Sequence, residues 1–344
     1  MEALFRLTGL ATSSLMARLS GRYSRTNTMP DKTTGGATIQ RLVAQTRERV
    51  VAVVVTHNRA SLLRETLNAL LVQERAPDSI VVVNNASVDE TNEVIAGFPE
   101  VVHLRFTENL GGAGGFRAGI RYALEQGAAY LWLMDDDGRP REPSCLARLL
   151  HTAKYHTAGI VGPLVLDVNE QERLAFPVHL GRRRIFDRAL LSGHPVIENF
   201  VHLFNGTLIR SSVFSTIGLP DDRLFIRGDE VEFFYRAKAC RVRIVLDTRV
   251  EFLHPSSRAE IFPILGGLFY AVVPPDAAKQ YFQFRNRGHI FRKYRMFDYL
   301  AFDFIRYSYY YLVARKGDVS GLARWIQITI EGYRGKFLLT AQND

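Results

Sequence analysis

Apolar runs and helical stripes alternate along the chain from residue 50 to residue 134. Residues 50–55 (VVAVVV) are continuous and β-branched, as expected of a parallel strand covered on both faces, and the polar string THNR follows at their end. Leu62, Leu63, Leu67, Leu70 and Leu71 then recur at helical spacing, with Ser61 as the expected N-cap. A second strand is expected in SIVVVNNAS, a third in VVHLRF, a helix from about 113 to 126, and a fourth strand in AYLWLM at 129–134. This order predicts an open α/β sheet. Ligands of such sheets sit at the carboxyl ends of the strands, where THNR, NNAS and the acidic run after residue 134 all fall.

Past residue 150 the pattern changes to shorter strands around GIVGPLVLD, FNGTLIR and VRIVLDTRVEFLH, with a helix from about 229 to 240. From 278 onward the chain reads as mainly helical, basic and rich in Phe and Tyr. Phe297, Leu300, Ala301, Phe304, Ser308, Tyr311 and Leu312 fall on one face at three- and four-residue steps, which predicts an amphipathic helix. Such a stripe is expected to pack on its own core, and contact with a membrane surface is the second reading.

The fourth strand ends in three consecutive acids, Asp135, Asp136 and Asp137, followed by Gly138. Like charges this close repel unless a cation or a donor-rich ligand lies between them. Mg²⁺ or Mn²⁺, hard ions held by one or two carboxylates together with substrate phosphates, are the expected cofactors, and a nucleotide diphosphate the expected ligand. A solvated acidic turn is the alternative.

The 344 residues carry a formal charge of +9, which points to an anionic partner: nucleic acid, a phospholipid surface or a pyrophosphate-bearing substrate. No recognised nucleic-acid motif accompanies the charge, so nucleic acid is the least expected of the three. Cys145 and Cys240 lack CxxC partners, which excludes a zinc knuckle and a disulfide framework and fits a reducing cytoplasm. No apolar run reaches the length of a membrane span; FDYLAFDFIRYSYYYLV is broken by Asp298, Asp303 and Arg306. Residues 1–48 are set apart: LFRLTGLATSSLMARLSGRYSR is apolar and basic without acids, expected to be disordered or to lie on a membrane surface, and Met29 offers a downstream start that would leave residues 1–28 outside the native chain.

Three further segments carry candidate chemistry. NLGGAGGFRAG (109–119) fails the dinucleotide fingerprint, because the third glycine position is Arg117; its glycines are expected to let a helix N-terminus approach a ligand, a tight structural turn being the alternative. LFIRGDEVEFFYR places Asp229, Glu230 and Glu232 ahead of Arg236, either as a general base for an acceptor hydroxyl or as acids that complement a helix dipole. YFQFRNRGH sets Arg285, Arg287 and His289 among aromatics, a pattern suited to clamping phosphates or to stacking on single-stranded nucleic acid. His254 is by default structural, and otherwise a third metal ligand.

Taken in order, VVVTHNR, VVVNNAS, NLGGAGG, WLMDDDG and GDEVEFFYR resemble the inverting glycosyltransferases of family 2, over residues 50 to about 290. LAFP, LFNG, LFIRGDEVE and FRNRG are similar, more narrowly, to galactofuranosyltransferases that initiate cell-wall galactan in mycobacteria and related actinobacteria. The resemblance implies a GT-A fold, a Rossmann-like open mixed sheet flanked by helices, over 49–277, with a helical region over 278–344. It implies UDP-galactofuranose as donor, a polyprenyl-diphosphate-linked rhamnosyl-N-acetylglucosamine as acceptor, and a peripheral position at the inner face of the cell membrane. A dTDP-rhamnose-dependent rhamnosyltransferase and a non-catalytic sugar-nucleotide-binding protein are the alternatives. By the same resemblance Asp135, Asp137 and His254 hold the metal. Thr56, Asn58, Asn84, Asn109, Gly112, Arg117, Asp136 and Arg285 contact the nucleotide sugar. Glu230, with Asp229 beside it, is the base. Asn84 stands where many relatives have Asp, and Glu230 likewise replaces an Asp.

Overall fold

In the computed structural model, residues 47–337 are described apart from 182 and 257; most of the N-terminal extension therefore lies outside the described residues. The strands are β1 (Val50–Thr56), β2 (Ser79–Asn84), β3 (Val101–Arg105), β4 (Tyr130–Asp135), β5 (Arg139–Pro140), β6 (Ile160–Asp167), β7 (Arg173–Leu180), β8 (Arg183–Asp187), β9 (Val196–Glu198), β10 (Asn205–Arg210), β11 (Ile244–His254), β12 (Ile261–Ile264) and β13 (Phe269–Val272). β3-β2-β1-β4-β10-β6-β11-β5 run side by side in one mixed sheet, with β7 joined to β6 and β9 to β11. β1 to β4 are parallel, β10 is antiparallel to both of its neighbours, and β6 and β11 are again parallel.

Both faces of β1 are buried, which explains its unbroken apolar run. Val51, Val53 and Val55 meet Phe116, Ile120 and Ala123 of the helix Gly111–Glu125, whereas Val50, Ala52 and Val54 share a second core with Leu63, Leu67 and Leu70 of the helix Ala60–Leu71. Gly115 and Gly119 permit the first contact: a Cβ on either would stand 2.6 and 2.4 Å from Val55 and Val53. The expected Ser61 cap is corrected. The helix starts at Ala60 without a side-chain cap from Arg59, and the Ala60 N–H donates to Asp89 Oδ2 at 3.1 Å, so a loop distant in sequence takes the capping role.

Beyond β13 the helices Ala277–Lys293, Phe297–Tyr309 and Val319–Tyr333 enclose a smaller core of Phe284, Tyr307, Tyr310, Tyr311, Trp325 and Ile328. The face expected to be buried on the middle helix is also corrected. Phe297 and Phe304 are 56% and 52% exposed, while Asp303 and Tyr307 are buried. Asp303 is drawn inward by Arg287, which donates from Nε at 2.6 Å, and by Arg306; hydrophobic periodicity cannot register a buried ion cluster. A π-helical turn at Tyr310–Ala314 then shifts the phase of the stripe.

Candidate active site

Strand register brings the acidic run to the cleft. Thr56 of β1 pairs with Asn84 of β2 and Val55 with Asp135 of β4, so three strand ends lie level. Directly after the acids, β5 pairs antiparallel with the end of β11, Leu253 opposite Arg139, which sets His254 beside Asp137 with Nε2 3.0 Å from Oδ1. Gly138 makes this approach possible, because a Cβ there would stand 2.5 Å from the Phe252 ring and 3.3 Å from His254. Thr66 ties the turn down by donating to the carbonyls of Asp136 and Gly138 at 2.9 and 3.0 Å.

The three acids differ in role. Asp136 is buried and faces inward, accepting from Thr56 Oγ1 at 2.7 Å, the His57 N–H at 3.3 Å and Arg59 at 3.0 Å. Thr56 and Asp136 thus pin β1 to the acidic turn instead of presenting polar atoms to a ligand. Asp135 is closely enclosed while keeping a solvent-accessible edge; burial, then the charges of Asp137 and Asp136, hold its carboxyl well above the usual range. Burial also works to raise Asp137, but the His254 hydrogen bond and the charges of His254 and Arg59 outweigh it and bring it down to about 2. Arg59, the last residue of THNR, reaches Asp137 at 2.5 Å. It is a site residue that the sequence reading quoted without singling out.

Opposite the acids, the turn before helix Asp229–Ala239 aims the acidic pair. Phe225, Arg227 and Gly228 all have positive φ (63°, 64° and 107°), a strained arrangement for the two non-glycine residues. Asn286 donates from Nδ2 to the carbonyls of Leu224, Ile226 and Arg227 at 2.7–2.9 Å, and Arg285 Nη2 to those of Arg223 and Leu224 at 2.9 and 3.1 Å. Arg285 is fully buried over Phe282, its guanidinium 4.8 Å from the ring centre, and burial lowers its pKa. FRNRG is therefore a clamp on a strained backbone, which corrects the nucleotide-binding role expected of Arg285. Arg287 likewise holds Asp303 and not a phosphate.

Asp229 is 5% exposed, and burial, followed by the charge of Glu230, raises its pKa well above the usual carboxylate range; the charge of Asp135 adds to this. Glu230 is half-buried and accepts from the Gly228 N–H at 2.9 Å. Glu232, by contrast, is fully buried between Arg236 at 2.8 Å and Lys293 at 2.6 Å and serves the scaffold.

The remaining expected contacts divide. Asn58 links the strand-end loops, its N–H donating to Ser87 Oγ at 2.9 Å and its Oδ1 accepting from the Val88 N–H at 2.8 Å; with Arg59, Ser61, Arg64 and Asp89 it lines a cavity of about 350 Å³. Asn84 is fully buried, bonded to Asn92 and to the Ser87 N–H, so the expected nucleotide-sugar contact is corrected to a loop-shaping role. Asn109 accepts from the Gly111 N–H at 2.8 Å, and Phe225 O accepts from the Ala113 N–H at 2.9 Å, so two amides of that helix N-terminus already have protein partners. Gly112 lies near Asp229, a Cβ there falling 4.0 Å from Oδ2. Arg117 turns away from the acids to Pro220 O at 3.0 Å and Asp222 at 3.4 Å.

Among the described residues, no three His, Cys, Asp or Glu side chains stand close enough to hold a metal ion by themselves. Two carboxylates and an imidazole nevertheless suit a hard divalent cation whose shell is completed by substrate oxygens, and the buried Asp137 Oδ1 has His254 as its one close polar neighbour among the described residues. The donor set fits the group in its chemistry.

Residues 51–218 match the model of the family described as glycosyl transferase family 2. The chain is 38% identical over 298 residues to galactofuranosyltransferase GlfT1 of Mycolicibacterium smegmatis, covering 84% of this chain and 98% of the relative. It is 39% identical over 296 residues to GlfT1 of Mycobacterium tuberculosis, covering 84% and 97%. The dTDP-rhamnosyl transferase RfbF of Shigella flexneri is 22% identical over 83% of this chain and 96% of its own. Among solved structures, S. aureus TarS 1–349 superposes with a TM-score of 0.52 at 14% identity, covering 84% of this chain and 82% of that one, a likeness of fold alone. The architecture is the GT-A fold, and the chain belongs to glycosyl transferase family 2.

Proposed function

We propose that this chain is an inverting, divalent-cation-dependent galactofuranosyltransferase. It transfers galactofuranose from UDP-galactofuranose to a polyprenyl-diphosphate-linked rhamnosyl-N-acetylglucosamine. The observations that support the reading are the approach of His254 Nε2 to within 3.0 Å of Asp137 Oδ1 at the end of β4 and the 38% identity to GlfT1 over nearly all of that relative. Asp135, Asp137 and His254 would hold Mg²⁺ or Mn²⁺, whose charge would offset that of the departing diphosphate. Asn58 and the loop shaped by Asn84 border the nucleoside. Glu230 or Asp229 takes the proton of the acceptor hydroxyl as its oxygen bonds to the anomeric carbon and the bond to UDP breaks on the opposite face.

Donor chemistry belongs to residues 49–277, and residues 278–344 dock the enzyme on an anionic membrane surface. No helix of the described residues is long and apolar enough to cross a membrane. Exposed Phe297, Phe302, Phe304 and Ile305, with Leu265 and Leu268 between β12 and β13, support docking by surface contact. Flotation with anionic liposomes tests it: co-migration at low salt is expected, and failure to float removes the docking. A panel of UDP-galactofuranose, UDP-galactopyranose and dTDP-rhamnose tests the donor, and transfer from dTDP-rhamnose alone would move the assignment to the rhamnosyl branch that RfbF represents.

A further inference from the structure

A second cavity, of about 600 Å³, opens among the C-terminal helices away from the acidic cluster. Its walls are aromatic: Phe284, Tyr310, Tyr311 and Trp325 line it, and Phe262 of β12 stands at its side, packed on Tyr310 with ring centres 5.1 Å apart. A small core this rich in rings is expected to close on itself. It stays open here, and Tyr310 and Tyr311 of the π-helical turn Tyr310–Ala314 stand in its wall.

Two arginines, Arg315 and Arg324, also line the cavity, both exposed and, among the described residues, without an ion pair. One acid accompanies them, Asp318, whose Oδ1 is already engaged by the Gly321 N–H at 2.8 Å and the Ser320 hydroxyl at 2.9 Å as the N-cap of helix Val319–Tyr333. The surplus at this mouth is cationic. Leu312 and Val313 of the same turn are exposed and continue the apolar face that runs along helix Phe297–Tyr309. An aromatic wall, a doubly cationic rim and an apolar approach suit an amphiphile with a hydrocarbon chain and an anionic head.

The wall also includes Ala259, five residues past His254. A chain spans at most about 3.6 Å per residue, so Ala259 lies within about 18 Å of the candidate metal ligand. A glycan linked through a diphosphate can bridge such a gap while its lipid stays in the cavity.

We propose that this cavity is the seat of the acceptor's lipid: the first prenyl units pack on the aromatic walls, and Arg315 and Arg324 grip the diphosphate. The proposal rests on the acceptor reading above and adds where the acceptor is held. The test titrates the full chain with farnesyl diphosphate, a soluble single-chain prenyl diphosphate, by calorimetry and by tryptophan emission. Trp325 lines the cavity and Trp132, the other tryptophan, is fully buried in the sheet, so a change absent from Trp325→Phe reports this site. Saturable binding is expected. It weakens about tenfold in Arg315→Ala and again in Arg324→Ala, as loss of a charge-assisted contact requires, and UDP affinity stays unchanged. Inorganic pyrophosphate and farnesol, which each offer half of the chemistry, bind far more weakly.

The proposal is overturned by farnesyl diphosphate binding that ignores both arginines, by pyrophosphate binding as tightly, or by dihexanoyl phosphatidylglycerol competing equally, which would mark a general lipid site. Transfer assays separate its failure from that of the function. If both variants keep the wild-type KM for a prenyl-diphosphate acceptor, the cavity assignment falls and the transferase stands. If farnesyl diphosphate binds through the arginines but no sugar is transferred to any lipid-linked acceptor, the site stands as a prenyl-diphosphate site and the transferase falls.

Discussion

Arg285 separates two accounts of the FRNRG segment, and its replacement decides between them. In Arg285→Met the apolar stem is kept while the guanidinium is lost, and with it the bonds to Arg223 O, Leu224 O and Asn286 Oδ1 at 2.9, 3.1 and 2.9 Å. Hydrogen bonds to a charged group contribute about 1.5–3 kcal/mol each, but Leu224 O keeps its bond from Asn286 and a buried, unpaired cation is itself costly, so a net loss of about 1–3 kcal/mol is expected. Arg285→Ala also empties the space over Phe282 and raises the loss to about 3–5 kcal/mol. The clamp acts on the 224–228 turn, and no bond of Arg285 points into the cleft, so UDP affinity should change no more than about threefold, on the order of RT. Urea unfolding read by circular dichroism gives the stability change, and calorimetry with UDP and Mn²⁺ gives the affinity. An Arg285→Met protein that unfolds at the wild-type midpoint yet binds UDP tenfold more weakly would restore the phosphate-clamp reading and refute the structural one.

Gly138→Ala pushes a methyl group into the Phe252 ring at 2.5 Å; a destabilisation of about 1–3 kcal/mol is expected by thermal melting, together with reduced transfer as β5 parts from β11. Asp303→Asn takes the carboxylate from the half-buried Arg287 and Arg306 and should cost about 1–3 kcal/mol in urea unfolding, with faster amide exchange in helices Ala277–Lys293 and Phe297–Tyr309. The Asp137–His254 pair makes stability pH-dependent in chelator. Asp137, held at about 2 against an ordinary 3.8, adds stability that is present above pH 3.8 and lost as pH falls toward 2. His254, raised above 6.5, adds stability that is complete below pH 6.5 and lost as pH rises through its folded value, and His254→Gln should flatten that alkaline limb and shrink the acid limb that Asp137 contributes.

Much of the sheet was legible because its strands are continuous β-branched runs and its helices carry apolar stripes, patterns set by burial on both faces of β1 and β4. The convergence of THNR, NNAS and the acidic run was legible for the same reason, since parallel strands place their carboxyl ends on one edge. The individual roles within those strings were not. Asp136 and Asn84 look like ligand groups in one dimension, yet each satisfies backbone or side-chain partners from a neighbouring loop. Arg59 escaped notice because its partners lie 77 and 78 residues away. FRNRG misled because its targets are main-chain carbonyls of a strained turn, which leave no trace in residue type; positive φ at Phe225 and Arg227 shows only in three dimensions. The aromatic stripe was found but faced the wrong way, since the buried positions on that helix are Asp303 and Tyr307.

The account turns on sugar transfer at the Asp135–Asp137 and Asp229–Glu230 cleft. The most direct measurement incubates the protein with UDP-galactofuranose, Mn²⁺ and a synthetic polyprenyl-diphosphate rhamnosyl-N-acetylglucosamine, and weighs the lipid-linked product by mass spectrometry. The predicted result is addition of hexose by the wild-type protein, and none by a folded Asp137→Ala variant or in excess EDTA. An unchanged acceptor mass with wild-type protein, or undiminished transfer by Asp137→Ala in EDTA, would contradict it.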